Sequence, residues 1–412
     1  VNIVIHDFAG HPGQLQLSRE LAARGHTVAH QYCASVTTGR GATSIQPGDP
    51  PTLSIEGISL GGEFARYAAG RRGAQELRYG WLSARAVLRS RPDVAVFANF
   101  PTIPLYIVSL VLKAGRIPFV FWWQDIHSEA VSVIARRRFG RMGAVIAWGV
   151  ERLERRIAHR ASRIVPISDA FLARLTAWRV DPAKVVVIPN WGALNEVPQR
   201  PRANPWSARY GLDDVQVVMY AGTLGLKHDP AVVAELLHSI PDDCRIVVVS
   251  EGIGREWLEK HCGGDEKLML MDYRPYAELP DMLASADVLL GILERDASRF
   301  SVPSKILNYL CAGRPVLAVL PQDNAIASMV RTADAGLVTP PGDYGAAATA
   351  LKQLLTDPVL RRTLGRNGRQ YAQRSFDIVE IGDRFERLLK SARTPAAHAE
   401  AAAHQAGYTP AR

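Results

Sequence analysis

Short apolar runs alternate with amphipathic stretches along almost the whole chain. In the first half the runs fall at residues 1–5, 27–31, 94–97, 118–122, 163–167 and 184–188. Between them lie stretches such as 14–24, where Leu15, Leu17, Leu21 and Ala22 share a face, and 169–178. Short, nearly continuous apolar runs bounded by turn residues, with helical segments between them, predict parallel strands covered on both faces. The second half repeats the rhythm at 215–220, 245–249, 267–271, 288–292, 316–319 and 336–338. Right-handed crossovers then give two doubly wound, Rossmann-like α/β sheets. Sites at the carboxyl ends of their strands would face a central cleft.

Pro198, Pro201 and Pro205 mark 190–205 as a linker, so the expected domains span 1–195 and 206–375. Ile381, Phe385, Leu388 and Leu389 share one face of a final helix expected over 376–392. Such a face must be buried, and the N-terminal domain is the expected partner. The Ala-, His- and Gln-rich tail 394–412 reads as disordered. The chain opens directly on a strand-like run, so no cleavable signal peptide is expected. Its longest apolar stretches, 103–112 and 117–123, fall short of the roughly 20 residues a spanning helix needs.

Length and composition narrow the class. The 412 residues suit two or three domains, and 47% hydrophobic with 22% charged residues excludes a largely disordered or fibrous chain. Cys33, Cys244, Cys262 and Cys311 lie far apart with no C-x-x-C pair. That excludes a disulfide scaffold or zinc ribbon and fits a reducing cytoplasm. The net charge of +9 is unevenly spread: residues 64–91 carry +6 and residues 135–163 carry +7, leaving −4 elsewhere. Arg71, Arg72, Arg78, Arg136, Arg137 and Arg138 are interleaved there with Tyr67, Tyr79, Trp81, Phe139, Met142, Ile146 and Trp148. Basic helices with aromatic and aliphatic neighbours suit an anionic membrane surface, although a solvated basic face has the same composition. No nucleic-acid recognition motif accompanies the charge, so nucleic acid is not an expected partner.

Two segments carry candidate chemistry. Gly222-Thr223-Leu224-Gly225-Leu226-Lys227 follows a strand, where glycines let backbone amides approach an anion and a lysine adds full charge. It lacks the ending of a P-loop and the G-x-G-x-x-G fingerprint, and by itself it also suits an ordinary strand-to-helix turn. Around Ser301-Val302-Pro303-Ser304-Lys305, either serine can cap a helix whose free amides, with Lys305 beside them, would meet a phosphate. Only 8 of the 49 basic residues are lysines, and two of them stand in these loops. Asp125 and His127 follow an apolar run and could orient or deprotonate a hydroxyl, though Asp125 also suits a helix cap. His6, Asp7 and His11 near the first loop are further candidates. There is no paired Cys/His metal spacing and no HExxH.

The ordered set of motifs resembles the retaining nucleotide-sugar glycosyltransferases of family 4, which have the GT-B fold, and within them the colanic-acid and O-antigen branch. It comprises Leu17-Ser18-Arg19-Glu20-Leu21, Arg24-Gly25-His26-Thr27-Val28, Trp123-Gln124-Asp125-Ile126-His127, Ile167-Ser168-Asp169-Ala170-Phe171, Ile188-Pro189-Asn190-Trp191, Tyr220-Ala221-Gly222, Asp287-Val288-Leu289-Leu290, Pro303-Ser304-Lys305 and Ala312-Gly313-Arg314-Pro315-Val316. The resemblance covers residues 1–390 and implies a metal-independent transferase without a resident cofactor. Its donor would be a UDP- or GDP-sugar and its acceptor a glycan or polyprenyl-linked molecule at the cytoplasmic face of the inner membrane. It places Lys227, Lys305, Gly222, Thr223 and Ser304 at the diphosphate. Gly10 and Gly13 fall in the opposing loop, Glu251, Gly252 and Gly254 in a nucleotide loop, and Tyr273 and Arg274 near the base. Such enzymes carry two glutamates with seven residues between them; here Phe300 and Asn308 stand in those positions, so Asn308 would meet the ribose and Glu294 or the amides near Ser301 the sugar. That departure leaves a non-catalytic nucleotide-sugar-binding relative open, and the fold leaves a sugar-nucleotide epimerase open.

Overall fold

The computed structural model describes residues 1–37, 39–65, 69–297 and 302–393, apart from the side chains of residues 69, 137 and 138. The described chain forms two compact units. The first comprises Val1–Thr37, Ala42–Pro189 and the residues from Ile378 on; the second is Asn190–Asp377 with the short stretch that ends at Gly41.

Strands β1 (Asn2–Asp7), β2 (Thr27–Cys33), β3 (Leu53–Ile58), β4 (Val94–Ala98), β5 (Phe119–Trp123) and β6 (Arg163–Pro166) build the first sheet in the order β3-β2-β1-β4-β5-β6. Every pairing is parallel; Val4, for instance, faces Ala29 on one side and Ala95 on the other. All of β4 and β5 is buried, as apolar strands between helix layers must be. The second unit repeats the design with β7 (Gln216–Ala221), β8 (Cys244–Val249), β9 (Leu268–Met271), β10 (Val288–Ile292), β11 (Val316–Val319) and β12 (Gly336–Thr339), in the order β12-β11-β10-β7-β8-β9. Its core joins Val218, Ile246, Val248, Leu290 and Leu317 from the sheet to Leu236, Leu351 and Leu354 from covering helices. The predicted α/β architecture of two doubly wound sheets is therefore present.

Two local expectations are corrected. Residues 184–188 form no strand: a 3-10 turn, Pro182–Lys184, precedes a single bridge between Val185 and Ile164. Val186 and Ile188 still donate to the β6 carbonyls of Ile164 and Pro166, so the segment lies extended beside the sheet. The sixth strand is instead β3, an edge strand whose mixed burial hides its pattern. Nor is 190–205 a loose connector. Trp191, Ala193 and Val197 are buried, the Ala193 amide donates to Asn308 Oδ1 at 2.9 Å, and Asn204 closes a capping box on helix Pro205–Arg209. The unit boundary falls at Pro189.

The final helix, Ile378–Arg393, packs on helix Pro12–Ala23 of the first unit. Ile381, Phe385, Leu388 and Leu389 are buried, and the Phe385 ring lies 4.7 Å from that of Trp122. Arg24 donates to Asp383, to Glu386 at 3.2 Å and to the Val379 carbonyl at 2.6 Å. Gly382 permits the approach, since a Cβ there would lie 2.8 Å from Glu20 Cγ and Arg24 Nη2. The expected tail, 394–412, lies outside the described residues. Among the described residues no helix is long and apolar enough to cross a membrane.

Phe385→Ala is expected to lower the unfolding free energy of this unit by about 3–5 kcal/mol, as for other buried aromatic truncations. Urea denaturation reads the value; a loss below about 1 kcal/mol would mean that the helix is not integral to the core.

Candidate functional site

In the second sheet the strand order reverses direction between β7 and β10, and such a reversal opens a crevice at the carboxyl ends of the strands. The loops leaving β7 and β8 are stitched together there. The Gly222 amide donates to the Val249 carbonyl at 2.9 Å, that of Leu224 to Glu251 at 3.1 Å, and that of Gly254 to Leu224 at 2.8 Å. Gly222 (φ +133°) and Gly252 (φ +110°) hold backbone conformations that side chains rarely adopt. A Cβ on Gly254 would lie 2.7 Å from Leu224 Cγ, and one on Gly222 would lie 3.1 Å from Lys305 Cε. The expected glycine loop and the expected lysine are thus neighbours, although 83 positions separate them in the chain.

Lys305 opens helix Lys305–Ala312. Its ammonium sits 3.7 Å from the centroid of the Tyr220 ring and donates to the Tyr220 hydroxyl and, at 3.2 Å, to the Thr223 carbonyl. Both hydrogen-bond partners are uncharged, and burial pushes the ammonium well below its ordinary pKa. Burial also raises the Tyr220 phenol well above its ordinary range, so that it remains a hydroxyl. Beside this cation Thr223 Oγ1 lies 2.6 Å from the Tyr273 hydroxyl; the next residue, Arg274, donates its Nε locally to the Asp272 carbonyl. Lys227 is half-buried, and its carbonyl accepts from the Glu294 amide at 2.9 Å. His228 lies behind them; burial, then the charges of Lys305 and Lys227, hold its imidazole well below the usual range. Tyr309 reaches back to bridge the backbone of Ala221.

Several sequence expectations look different in place. Ser304 stands at the helix N-cap without a side-chain capping bond, and Pro303 before it is buried. Asn308 turns its Oδ1 to Ala193 and so ties 190–205 to the helix. Ser301 and Phe300 lie outside the described residues. Tyr220, present in the sequence only as part of a family motif, and Tyr309 both shape the lysine site, a role the sequence hides because aromatic residues in a strand and a helix look like core.

The first sheet reverses between β1 and β4, and its polar groups collect there. Asp7, fully buried at the end of β1, accepts from the His11 amide, from the Ala9 amide at 3.4 Å and from Asn99 Nδ2 at 2.8 Å. Burial pushes the Asp7 carboxyl up, but His11 and the hydrogen bonds from His11 and Asn99 outweigh it and hold the pKa below normal. Burial works to lower His11, and Asp7 and Asp125 outweigh that, so its pKa is raised. Gly10 (φ +75°) makes the turn, and Gly13 lies in the first turn of helix Pro12–Ala23. Asp125 and His127 follow β5. Asp125 does not cap the next helix; the amides of His127 and Ser128 and the Trp123 indole donate instead to the buried Glu154 carboxylate, each at 3.0–3.1 Å. Glu154 went unnoticed in the sequence, where it is one acid among arginines.

Of the basic positions, Arg71, Arg78 and Arg136 are exposed and Arg72 pairs with Glu76 at 2.7 Å. The side chains of Arg137 and Arg138 lie outside the described ones. Trp81, Phe139, Met142, Ile146 and Trp148 are exposed beside them, whereas Tyr79 is buried against His6, 2.8 Å from its Nε2. Tyr67 lies outside the described residues.

Two parallel doubly wound units, with glycine loops and a desolvated lysine at the switch point of the second, define the GT-B class of transferase fold. Residues 11–191 match the family model of a glycosyl transferase 4-like domain, and residues 216–357 that of glycosyl transferases group 1. Together the two models span most of the chain, which belongs to the family-4 glycosyltransferases. It is 27% identical to the alpha-D-kanosaminyltransferase of Streptomyces kanamyceticus over 44% of this chain and 47% of the relative. It is 23% identical to the colanic acid biosynthesis glycosyl transferase WcaI of Escherichia coli over 67% of this chain and 68% of the relative. The alignment thus spans about half of the first relative's length. The structure of Anabaena HepE in complex with UDP-glucose matches with a TM-score of 0.68 and 16% identity, over 94% of this chain and 99% of that one.

His6 and His30 set a pH dependence. Burial and the nearby His30 lower His6 to about 3, and burial lowers His30 to about 4. Both are depressed below the unfolded value, so protonation favours the unfolded chain: the stability they add above about pH 6.5 is lost as pH falls. The raised His11 acts in the opposite sense, contributing fully below about pH 6.5 and losing its contribution as pH rises through its folded value. Urea unfolding of the chain should show stability falling between about pH 6.5 and 5, and His30→Gln should flatten that slope by up to about 1.4 kcal/mol per pH unit. An unchanged slope would mean that His30 is already protonated in the fold.

Proposed function

We propose that the protein is a retaining, metal-independent glycosyltransferase of bacterial surface polysaccharide synthesis. It moves a hexose-type sugar from a UDP- or GDP-sugar to a glycan or polyprenyl-linked acceptor at the cytoplasmic face of the inner membrane. The carrying observation is Lys305, an ammonium buried against Tyr220 with uncharged hydrogen-bond partners beside two glycine loops. A diphosphate gains negative charge as it leaves the sugar, and a preorganised, desolvated cation stabilises that charge more in the transition state than before it. Lys227, Thr223 and Ser304 complete the diphosphate set, the turns at Gly222, Gly252 and Gly254 leave room for the anion to approach the backbone, and Glu251, Tyr273, Arg274 and Asn308 lie on the nucleotide side.

Retention follows if the acceptor hydroxyl attacks the face the diphosphate leaves and the departing phosphate takes its proton. Asp125 and His127 then orient the acceptor rather than serve as obligatory bases. The names of two relatives support the chemistry: one is a kanosaminyltransferase, and the other is named as a glycosyl transferase of colanic acid biosynthesis. The HepE complex with UDP-glucose supports the donor class. The exposed arginines and aromatics of helices Ala69–Arg89 and His127–Arg160 support a bilayer-facing surface.

Incubation with a panel of UDP- and GDP-sugars and acceptors should give transfer, with Lys305→Ala lowering kcat about 100-fold or more, the scale of losing one transition-state donor. Conversion of donor without acceptor would point to an epimerase, and binding without turnover to a non-catalytic subunit. Neutralising Arg136, Arg137 and Arg138 should weaken flotation with anionic liposomes by about 1 kcal/mol per arginine. Unchanged flotation would remove the docking surface from this proposal.

A further inference from the structure

Helix His127–Arg160 is a hairpin of two helical arms that turn at Gly140 (φ 52°, ψ −122°). The arms run antiparallel. Glu154 on the returning arm holds the first amides of the outgoing arm, and Gly143 lies so close to Ala135 that a Cβ would be 2.0 Å from its carbonyl oxygen. Around the turn Phe139, Met142, Val145, Ile146 and Trp148 are all exposed, Met142 at 69% and Val145 at 66%.

Beyond the apolar tip, the returning arm borders a cavity of about 570 Å³ lined by Trp148, Arg152, Arg155, Arg156, Arg160 and Trp178, with Glu151 and His159. The two other polar groups are already engaged: Glu151 accepts from Arg174 and from the Trp178 indole at 3.1 Å, and His159 is bonded to the Trp178 carbonyl. Two of the arginines lie against aromatic rings rather than acids. Arg152 lies 5.5 Å from the Trp148 centroid, and Arg160 lies 4.6 Å from that of Tyr106. Among the described residues none of the four cavity arginines forms an ion pair with a carboxylate, and Arg160 Nη1 is buried with no hydrogen-bond partner. Ring-stacked guanidinium forks with unused donors match the oxygens of a phosphate group.

We propose that this cavity binds the phosphomonoester headgroup of a membrane lipid, whose three free oxygens can accept from several guanidinium forks, while the apolar turn of the hairpin enters the bilayer surface. A free phosphate would have no use for the apolar tip. A helix rises about 1.5 Å per residue, which sets Arg152 roughly 15 Å along the arm from Met142, with the amphipathic Trp148 ring between them. Apolar tip, interfacial tryptophan and arginine cradle therefore follow the order of acyl chains, interface and phosphates. The inference rests on the bilayer-docking part of the proposed function and adds a specific headgroup site to it.

The test is flotation of the full chain with phosphatidylcholine vesicles containing phosphatidic acid or phosphatidylglycerol, adjusted to equal surface potential. The chain should bind the phosphatidic acid vesicles about tenfold more tightly, the scale of one charged hydrogen-bonding contact. The exposed pair Arg155→Lys/Arg156→Lys keeps the charge and loses the forks. It should abolish the preference while leaving phosphatidylglycerol binding within about twofold, since the screened attraction is unchanged. Equal binding of the two vesicles by the wild type, or a preference that survives in the lysine pair, overturns the pocket and leaves general docking intact. Binding to neither vesicle overturns both. Saturable binding of inorganic phosphate without a preference for phosphatidic acid vesicles assigns the cavity to a soluble anion and overturns the lipid assignment.

Discussion

The second unit depends on one unusual contact: an ammonium held against a tyrosine ring, away from water, with uncharged hydrogen-bond partners. Lys305 reaches that position because Gly222 has no side chain to block it, and because Tyr309, one turn along the same helix, fixes the end of β7 through Ala221. A desolvated ammonium is costly, and the tyrosine quadrupole and two hydrogen bonds offset only part of the cost. The remainder is available to whatever anion arrives. The glycine loops meet the same demand from another side, since their conformations bring backbone rather than side chains to the crevice.

The first unit handles its buried charges differently, by satisfying them internally. Asp7 and Glu154 are carboxylates with almost no exposure, and each gathers backbone amides and a neighbouring side chain at the carboxyl end of the sheet. Losing either would leave several donors without partners, which costs more than the hydrogen bonds themselves contribute. Glu154 also clamps the base of the hairpin whose far end is apolar and exposed. A rigid base and an exposed tip are what a surface-docking element requires.

Most of the architecture was legible in the chain because buried parallel strands advertise themselves as apolar runs, and β4 and β5 are the clearest cases. β3 was not legible, since an edge strand exposes half of its residues and its burial pattern carries no strict period. Residues 184–188 misled for the opposite reason: they have strand composition, but Pro182 and Pro189 limit them to a bridge. In the site, glycines and lysines could be read because their physical roles are narrow. Tyr220, Tyr309 and Glu154 could not, because their contacts cross 26 to 88 positions of sequence and their types are common in cores or on charged helices. The hairpin was hidden as well, since Gly140, Gly143 and Gly149 scattered through an arginine-rich helix do not announce a reversal.

The central claim is that Lys305 is the cation reserved for the diphosphate of the donor. Calorimetry of UDP binding at mildly alkaline pH, repeated in buffers of different ionisation enthalpy, tests it most directly. An anion beside a desolvated ammonium raises its pKa, so wild-type protein should take up protons on binding UDP. Lys305→Met should bind more weakly and without that uptake. Equal affinity and equal proton exchange in the two proteins would contradict the account.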